Sequence, residues 1–329
     1  MDKRFFLKHL VMGLGLGCLP VWPPVLAQTV PGKPVTMIVP FAPGGAIDAV
    51  ARQLAPPLAQ ALGQTWMVDN VTGAFGTIGT QKVARATPDG QTLLFAVSSP
   101  LNVAPVLTPS AVRYDSFRDF QPLTAIGQMP FAVVARAGLP ADSLDGLIRW
   151  SHAHPGTLNF GTDGRGSLLH ITGELIHLRA GLDWVHVPYK AAPQVVTDLI
   201  GGQLDLAILP VALVQQHVHE GRLKALTVTS AQRVAILPQV PTLSELPALK
   251  GVALSSWLGL LAPAGLRQTE VDRLNQAIRK VAEGDAFRQM LQTRGIVPQL
   301  IQGADFERLM RQERALIADV VRQSGLTAE

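Results

Sequence analysis

The sequence predicts an α/β fold of two domains, and three observations carry that prediction. Strand and helix signals alternate along most of the chain, the pattern of parallel strands with helices on both faces. The 329 residues, roughly 300 once an N-terminal leader is removed, exceed what a single hydrophobic core comfortably encloses. Two glycine-rich turns, Pro43-Gly44-Gly45 and Gly164-Arg165-Gly166-Ser167, each close a β-type run and open a helix, one in each half of the chain.

The N-terminus reads as a secretory signal peptide over residues 1–27. Lys3, Arg4, Lys8 and His9 form a basic start, residues 10–19 are apolar but too short to span a bilayer, and Val25-Leu26-Ala27 precede an expected cut ahead of Gln28. No later run reaches the roughly 18 uninterrupted apolar residues that a membrane span requires. The expectation is an exported, periplasmic protein. Its one cysteine, Cys18, lies in the leader, so cleavage leaves a mature chain without a thiol or a disulfide. Leu16-Gly17-Cys18 also resembles a lipoprotein processing site, which would leave the protein tethered through Cys18. Loss of Asp2, Lys3, Arg4 and Lys8 takes the formal charge from +4 to +2. With no basic run or aromatic-basic stripe, nucleic acid is not an expected partner.

In the first region, residues 35–39 form a short apolar strand that stops at Pro40. The glycine turn follows, and the Ala/Leu-rich stretch 46–62 reads as a helix. Residues 65–68 are a strand, Gly73-Ala74-Phe75-Gly76-Thr77-Ile78-Gly79 a second loop, and a helix runs from there to Arg85. Pro88-Asp89-Gly90 turns into the strand 92–97, closed by Ser98-Ser99-Pro100, after which a helical segment follows.

The second region begins near Met129. Residues 131–135 are a strand, 143–153 a helix with Ser143 as N-cap, and Pro155-Gly156 a turn. The strand 158–161 leads into the second glycine turn, which opens a helix carrying Leu168, Leu169, Ile171, Leu175 and Leu178. Residues 184–187 form a strand, Pro188-Tyr189-Lys190 a turn, 193–201 a helix, and 204–209 and 225–229 further strands. The proline-rich stretch 237–247 is a loop. The apolar strand 257–262 crosses back, and helices after Thr269 complete the first domain.

A glycine turn at a helix start presents backbone N–H groups at the positive end of the helix dipole, so both turns are candidates for holding an anion without a charged side chain. Glycine at 45 and 166 is expected to serve close backbone approach and a positive φ. Asp48, in the first helical turn, suits either capping and dipole compensation or the orienting of a ligand group or water. Ser167 suits either a ligand hydrogen bond or a helix cap. His170, Glu174 and His177 share a helical face, but no third protein ligand of matching spacing accompanies them, so no metal site is expected. Lys190 either adds charge to a carboxylate site or is a solvated surface lysine. The spacing Gly73-x-x-Gly76-x-x-Gly79 is not a dinucleotide fingerprint, and no nucleophile elbow or paired-carboxylate signature stands out. Neither an enzyme nor a bound cofactor is expected.

Together these residues resemble the Bug-type extracytoplasmic solute receptors of tripartite tricarboxylate transporter systems. The resemblance runs through Val39-Pro-Phe-Ala-Pro-Gly-Gly45 with Asp48, Leu62-Gly-Gln64, Pro88-Asp-Gly90, Tyr114-Asp115 with Asp119-Phe120, Gly164-Arg-Gly-Ser167 with His170, His186-Val-Pro-Tyr-Lys190, Asp198-Leu-Ile-Gly-Gly202, Pro238-Gln-Val-Pro-Thr242 and Leu261-Ala-Pro-Ala-Gly265. It implies a two-domain, periplasmic-binding-protein-like (type II) fold with two crossing hinge strands. Domain 1 would comprise 28–128 and 251–329, and domain 2 would comprise 129–250. It further implies a ligand among small organic carboxylates, membrane transporter subunits as partners, and a monomer.

Carried over residue by residue, the resemblance places the ligand among Phe41, Ala42, Pro43, Gly44, Gly45 and Asp48 of the first loop and Ala74 and Phe75 of the second. Ser98 and Ser99 follow the next strand. The second domain would add Gly161, Thr162, Gly164, Gly166, Ser167, His170, Tyr189 and Lys190. An independent rule agrees, since ligands of open α/β sheets sit beyond the carboxyl ends of the strands. The chain departs from the family where Val71 replaces an arginine, Phe75 a glycine, Ala191 a glycine and Leu209 an aspartate. These changes imply a more apolar pocket wall and weaken the case for an amino-acid ligand. The sequence leaves open an exported sensing module, signalling to a membrane kinase, as an alternative to transport.

Overall fold

A computed structural model describes residues 32–327. The leader, Cys18 and the expected cut ahead of Gln28 lie outside the described residues. No described helix is long and apolar enough to cross a membrane.

The first half opens with β1 (Gly32–Val39), α1 (Ala46–Leu62), β2 (Gln64–Asn70), α2 (Thr77–Ala84) and β3 (Thr92–Val97). A π-helical turn, Ser99–Val103, runs directly into α3 (Ala104–Leu107). Then β4 (Phe120–Met129) leaves the first sheet, and one residue later β5 (Phe131–Arg136) begins the second. The second half continues through α4 (Leu144–Ala153), β6 (Asn159–Thr162), α5 (Leu168–Ala180), β7 (Val185–Pro188), α6 (Ala192–Ile200), β8 (Leu206–Pro210), α7 (Val211–His219) and β9 (Leu223–Val228). The chain returns through β10 (Ser256–Pro263), α8 (Gln268–Ala282), α9 (Asp285–Thr293), β11 (Val297–Gln302) and α10 (Gly303–Ser324).

The first sheet has the order β11-β4-β10-β3-β1-β2, and the second β7-β6-β8-β5-β9. Strands joined by helical crossovers, β1 with β2 and β3, and β6 with β7 and β8, run parallel. The strands that carry the chain between sheets run antiparallel to their neighbours: β10 to both β3 and β4, and β5 to both β8 and β9. Both sheets are therefore mixed, and together they form a two-domain periplasmic-binding-protein-like fold.

The two crossings lie side by side. Ser256 pairs with Met129 at the edge of the first sheet. Just beyond, the Phe131 amide donates to Thr229 Oγ1 at 3.0 Å, and Thr229 donates its own amide to the Phe131 carbonyl, also at 3.0 Å. Each sheet is covered on both faces. In the first, Val50, Leu54 and Leu58 of α1 and Leu274 and Ile278 of α8 pack on one side, and Val83, Phe306 and Met310 on the other. In the second, Leu169, Ile171 and Leu175 of α5 pack on one side, and Val195, Leu199 and Val214 on the other.

α10 belongs to both halves. Phe306 and Met310, near its start, pack beneath the first sheet, while Ile317 and Val320, two turns further on, pack into the core of the second half. At 1.5 Å per residue its 22 residues span roughly 33 Å, enough to reach from one layer to the other.

Candidate functional site

The crossings frame a cavity of about 300 Å³. Phe41 and Ile47 enclose it from the first glycine turn, Phe75 from the next loop, and Ser99, Val103 and Leu107 from the helical run after β3. Met129, Phe131 and Ser256 form its back at the crossings, and residues 165–169 its far wall. The cavity thus sits beyond the carboxyl ends of β1, β3 and β6.

Of the residues expected from sequence, Phe41, Phe75, Ser99, Gly166 and Ser167 line this cavity. Phe75 is 69% exposed and stands at φ 53°, beside Ala74 at φ 46°. Two consecutive non-glycine residues in the left-handed region are strained, and Phe75 is one of the cavity-lining residues.

Ala42, Pro43, Gly44 and Gly45 form the exposed turn beside Phe41. Its geometry corrects one expectation. Gly45 has an ordinary φ of −72°, and a Cβ there would only touch the Ala42 carbonyl at 3.4 Å. The glycine that needs a positive φ is Gly44, at 80°. Its amide is not free either: it donates to Asp48 Oδ2 at 2.8 Å. Asp48 is 2% exposed and also accepts from Arg52 Nε at 2.9 Å and Asn70 Nδ2 at 2.9 Å. Burial alone would raise its pKa, but the bonds from Arg52, the Gly44 amide and Asn70 outweigh burial and hold the carboxyl below its ordinary value. Asp48 braces the turn from beneath, and the amides left at the helix start are those of Ala46, Ile47 and Asp48.

The second turn is braced in the same manner by a histidine. The Gly166 amide, at φ 72°, donates to His170 Nδ1 at 3.1 Å, and Ser167 Oγ caps α5 by accepting from the His170 amide at 3.2 Å. Because Nδ1 accepts, the His170 proton sits on Nε2, which faces Glu174 Oε1 at 3.4 Å. The His170 ring stacks on His186 with centroids 3.6 Å apart. Burial, then the neighbouring His170 and Arg165, push His186 down to about 3, so this imidazole is neutral at ordinary pH. Its Nε2 lies 2.7 Å from Thr162 Oγ1.

The other expected residues stand behind the cavity. Ser98 is buried and donates to Glu313 Oε1 at 2.8 Å. Gly161 lies buried in β6, where a Cβ would collide with Leu204 and Val195. The Gly164 carbonyl is within 3.2 Å of Thr162 Oγ1. Tyr189 donates its hydroxyl to Asp198 at 2.8 Å, and Lys190 is exposed away from the lining residues.

Sequence reasoning passed over the two charged residues of the cavity, Asp163 and Arg165. Arg165 was visible inside the glycine motif, between two residues already placed at the site. Its side chain also borders a second, smaller cavity of about 260 Å³, lined by His170, Glu174, His186 and the chain end at Ser324–Leu326. It makes no ion pair among the described residues. Asp163 is exposed to the cleft but crowded by protein on both sides; that crowding pushes its carboxyl above the usual range, against the Ser167 hydroxyl, which pulls it down.

Comparison with known proteins fits this geometry. The family described as tripartite tricarboxylate transporter family receptor, TctC, matches residues 50–326. The chain belongs to that family. Protein BugT of Bordetella pertussis is 36% identical over 316 residues, 96% of each chain. Two solved receptors of Rhodopseudomonas palustris share the architecture. One, with adipate, is 28% identical at a TM-score of 0.75, over 91% of this chain and 99% of that one. The other, with bound malate, is 30% identical at a TM-score of 0.71, over 88% and 99%. TctC proteins are solute-binding receptors and not enzymes.

Proposed function

We propose that this protein is a periplasmic receptor that captures a small organic carboxylate between its two halves and delivers it to the membrane subunits of a tripartite tricarboxylate-type transporter. One observation carries the proposal: an unpaired guanidinium, Arg165, borders a cavity enclosed at the crossings between the two sheets. A charge so placed suits an anion that completes the site. The adipate and malate of the two relatives support the same ligand chemistry. In this scheme residues 129–250 move as one body and the flanking segments as the other, and the ligand fixes their closure. The protein works as a monomer, since one chain supplies both walls.

A thermal-shift panel of organic acids, with nucleotides as controls, tests the binding step. An acid present at 100 times its Kd raises stability by about 2.7 kcal/mol through mass action, so a cognate acid moves the melting temperature by several degrees. A panel in which every acid leaves the melting curve unchanged overturns the receptor assignment. Uptake of a bound acid into cells, lost on removal of the membrane subunits, tests delivery.

A further inference from the structure

We propose that the ligand is a monocarboxylate with an apolar body, held head-first by Arg165, and that the cavity discriminates against dicarboxylates. This deepens the receptor function proposed above and rests on it.

The charge inventory of the cavity is short. Arg165 is its one cationic side chain and Asp163 its one acid; the remaining lining groups are hydroxyls and apolar side chains. Lys190, the other cation expected at the site, is not among the lining residues. Arg165 makes no ion pair among the described residues, so its fork of N–H donors is available for a carboxylate. Ser99 and Ser167 supply neutral hydroxyls nearby.

Away from Arg165 the walls are apolar. Phe41, Ile47, Val103, Leu107, Met129 and Phe131 come from four separate segments and converge on the same space. Such a wall rewards aromatic or aliphatic surface and penalises a charge that finds no partner. A dicarboxylate with one end on Arg165 would bring its second carboxylate into this region, where no second cation waits. One departure seen in the sequence, Phe75 in place of a glycine, adds to this wall; the other, Leu209, is buried in the core behind it and does not reach the cavity.

A zwitterion is the rival, because Asp163 lies two residues before Arg165 on the same loop and offers an acid for an ammonium group; phenylalanine is therefore the control that decides between the two.

The decisive comparison uses hexanoate and adipate, which differ only in the second carboxylate, together with phenylacetate and phenylalanine, which differ at the α-ammonium group. Titration calorimetry on the mature protein should give hexanoate at least tenfold tighter than adipate, and phenylacetate no weaker than phenylalanine. Arg165→Gln should weaken hexanoate at least tenfold with an unchanged circular-dichroism spectrum. If adipate or malate binds as tightly as hexanoate, the selectivity is overturned while the receptor function stands. Tighter binding of phenylalanine, or an Arg165→Gln variant that binds hexanoate like the parent, overturns it in the same way. If no acid of any class binds, the receptor function falls as well.

Discussion

Glu313 is a buried acid with three donors and no cation. Ser98 Oγ and Trp257 Nε1 each donate to it at 2.8 Å, and Asn102 Nδ2 donates to its second oxygen. Burial raises its pKa from 4.5 to about 7, and the three donors only partly offset that rise. Between those two values the folded protein binds a proton that the unfolded chain has released, so stability falls as pH climbs from about 4.5 to 7. The loss is on the order of 3 kcal/mol and is complete above pH 7. His186 acts in the opposite direction: its depressed pKa means the unfolded chain takes up the proton first, so its contribution rises with pH from about 3 to 6.5. The difference between Glu313→Gln and the parent isolates Glu313 from that background. Denaturant melts should show the variant gaining on the parent steadily from pH 5 to pH 7.5; a constant difference across that range would refute the assignment. Asp48 is simpler. Asp48→Ala removes the acceptor for Gly44, Arg52 and Asn70 and should cost about 2 kcal/mol at pH 7 by the same measurement.

At the scale of elements, the two glycine turns are equivalent in plan but not in which glycine matters. A Val at 44 or 166 must take a φ of 80° or 72°, which a β-branched residue resists. A Val at 45 meets only ordinary contact. Gly44→Val and Gly166→Val should therefore weaken a cognate acid at least tenfold, or ~1.4 kcal/mol, while Gly45→Val binds within threefold of the parent. Calorimetry on all three separates backbone conformation from simple crowding, and equal losses at 44 and 45 would point to crowding. The turn between β1 and α1 was legible in sequence because glycine and proline punctuate it, and α1 itself runs over the expected residues 46–62 despite Pro56 and Pro57 inside it. Neither proline is buried, and the buried face of Val50, Leu54 and Leu58 offsets the hydrogen bonds they remove. Ser143 caps α4 as its position promised, accepting from the Gly146 amide. Among the elements that were not legible are α7 and β11. α7 starts directly at the end of β8 with a β-branched residue, so its first turn looks like more strand. β11 carries Pro298 inside it, tolerable because it is an edge strand. The cavity was half legible for a related reason. Loops after strands announce themselves, whereas Val103, Leu107, Met129 and Phe131 look in sequence like any core residues.

At the scale of the molecule, several links join the two halves. Two are the adjacent crossings, at Pro130 between β4 and β5 and at the start of β10, where Ser256 pairs with Met129. A pair of short strands held at one point can act as a hinge, since a few residues at element ends absorb the rotation. A third link is α10, whose two ends are buried in different cores. A helix packed into both halves resists their separation, so α10 should set how far the cleft opens without ligand. Ile317 is fully buried among the second-half residues. Ile317→Ala should cost about 2–5 kcal/mol and loosen the brace without touching a cavity-lining residue. Small-angle scattering should then show a larger radius of gyration for the unliganded variant than for the unliganded parent, and equal radii once both are saturated with a bound acid. The parent itself should contract on saturation. If parent and variant give one radius in both states, α10 is not the brace; if the parent fails to contract with a ligand proven by calorimetry, the crossings are not a hinge.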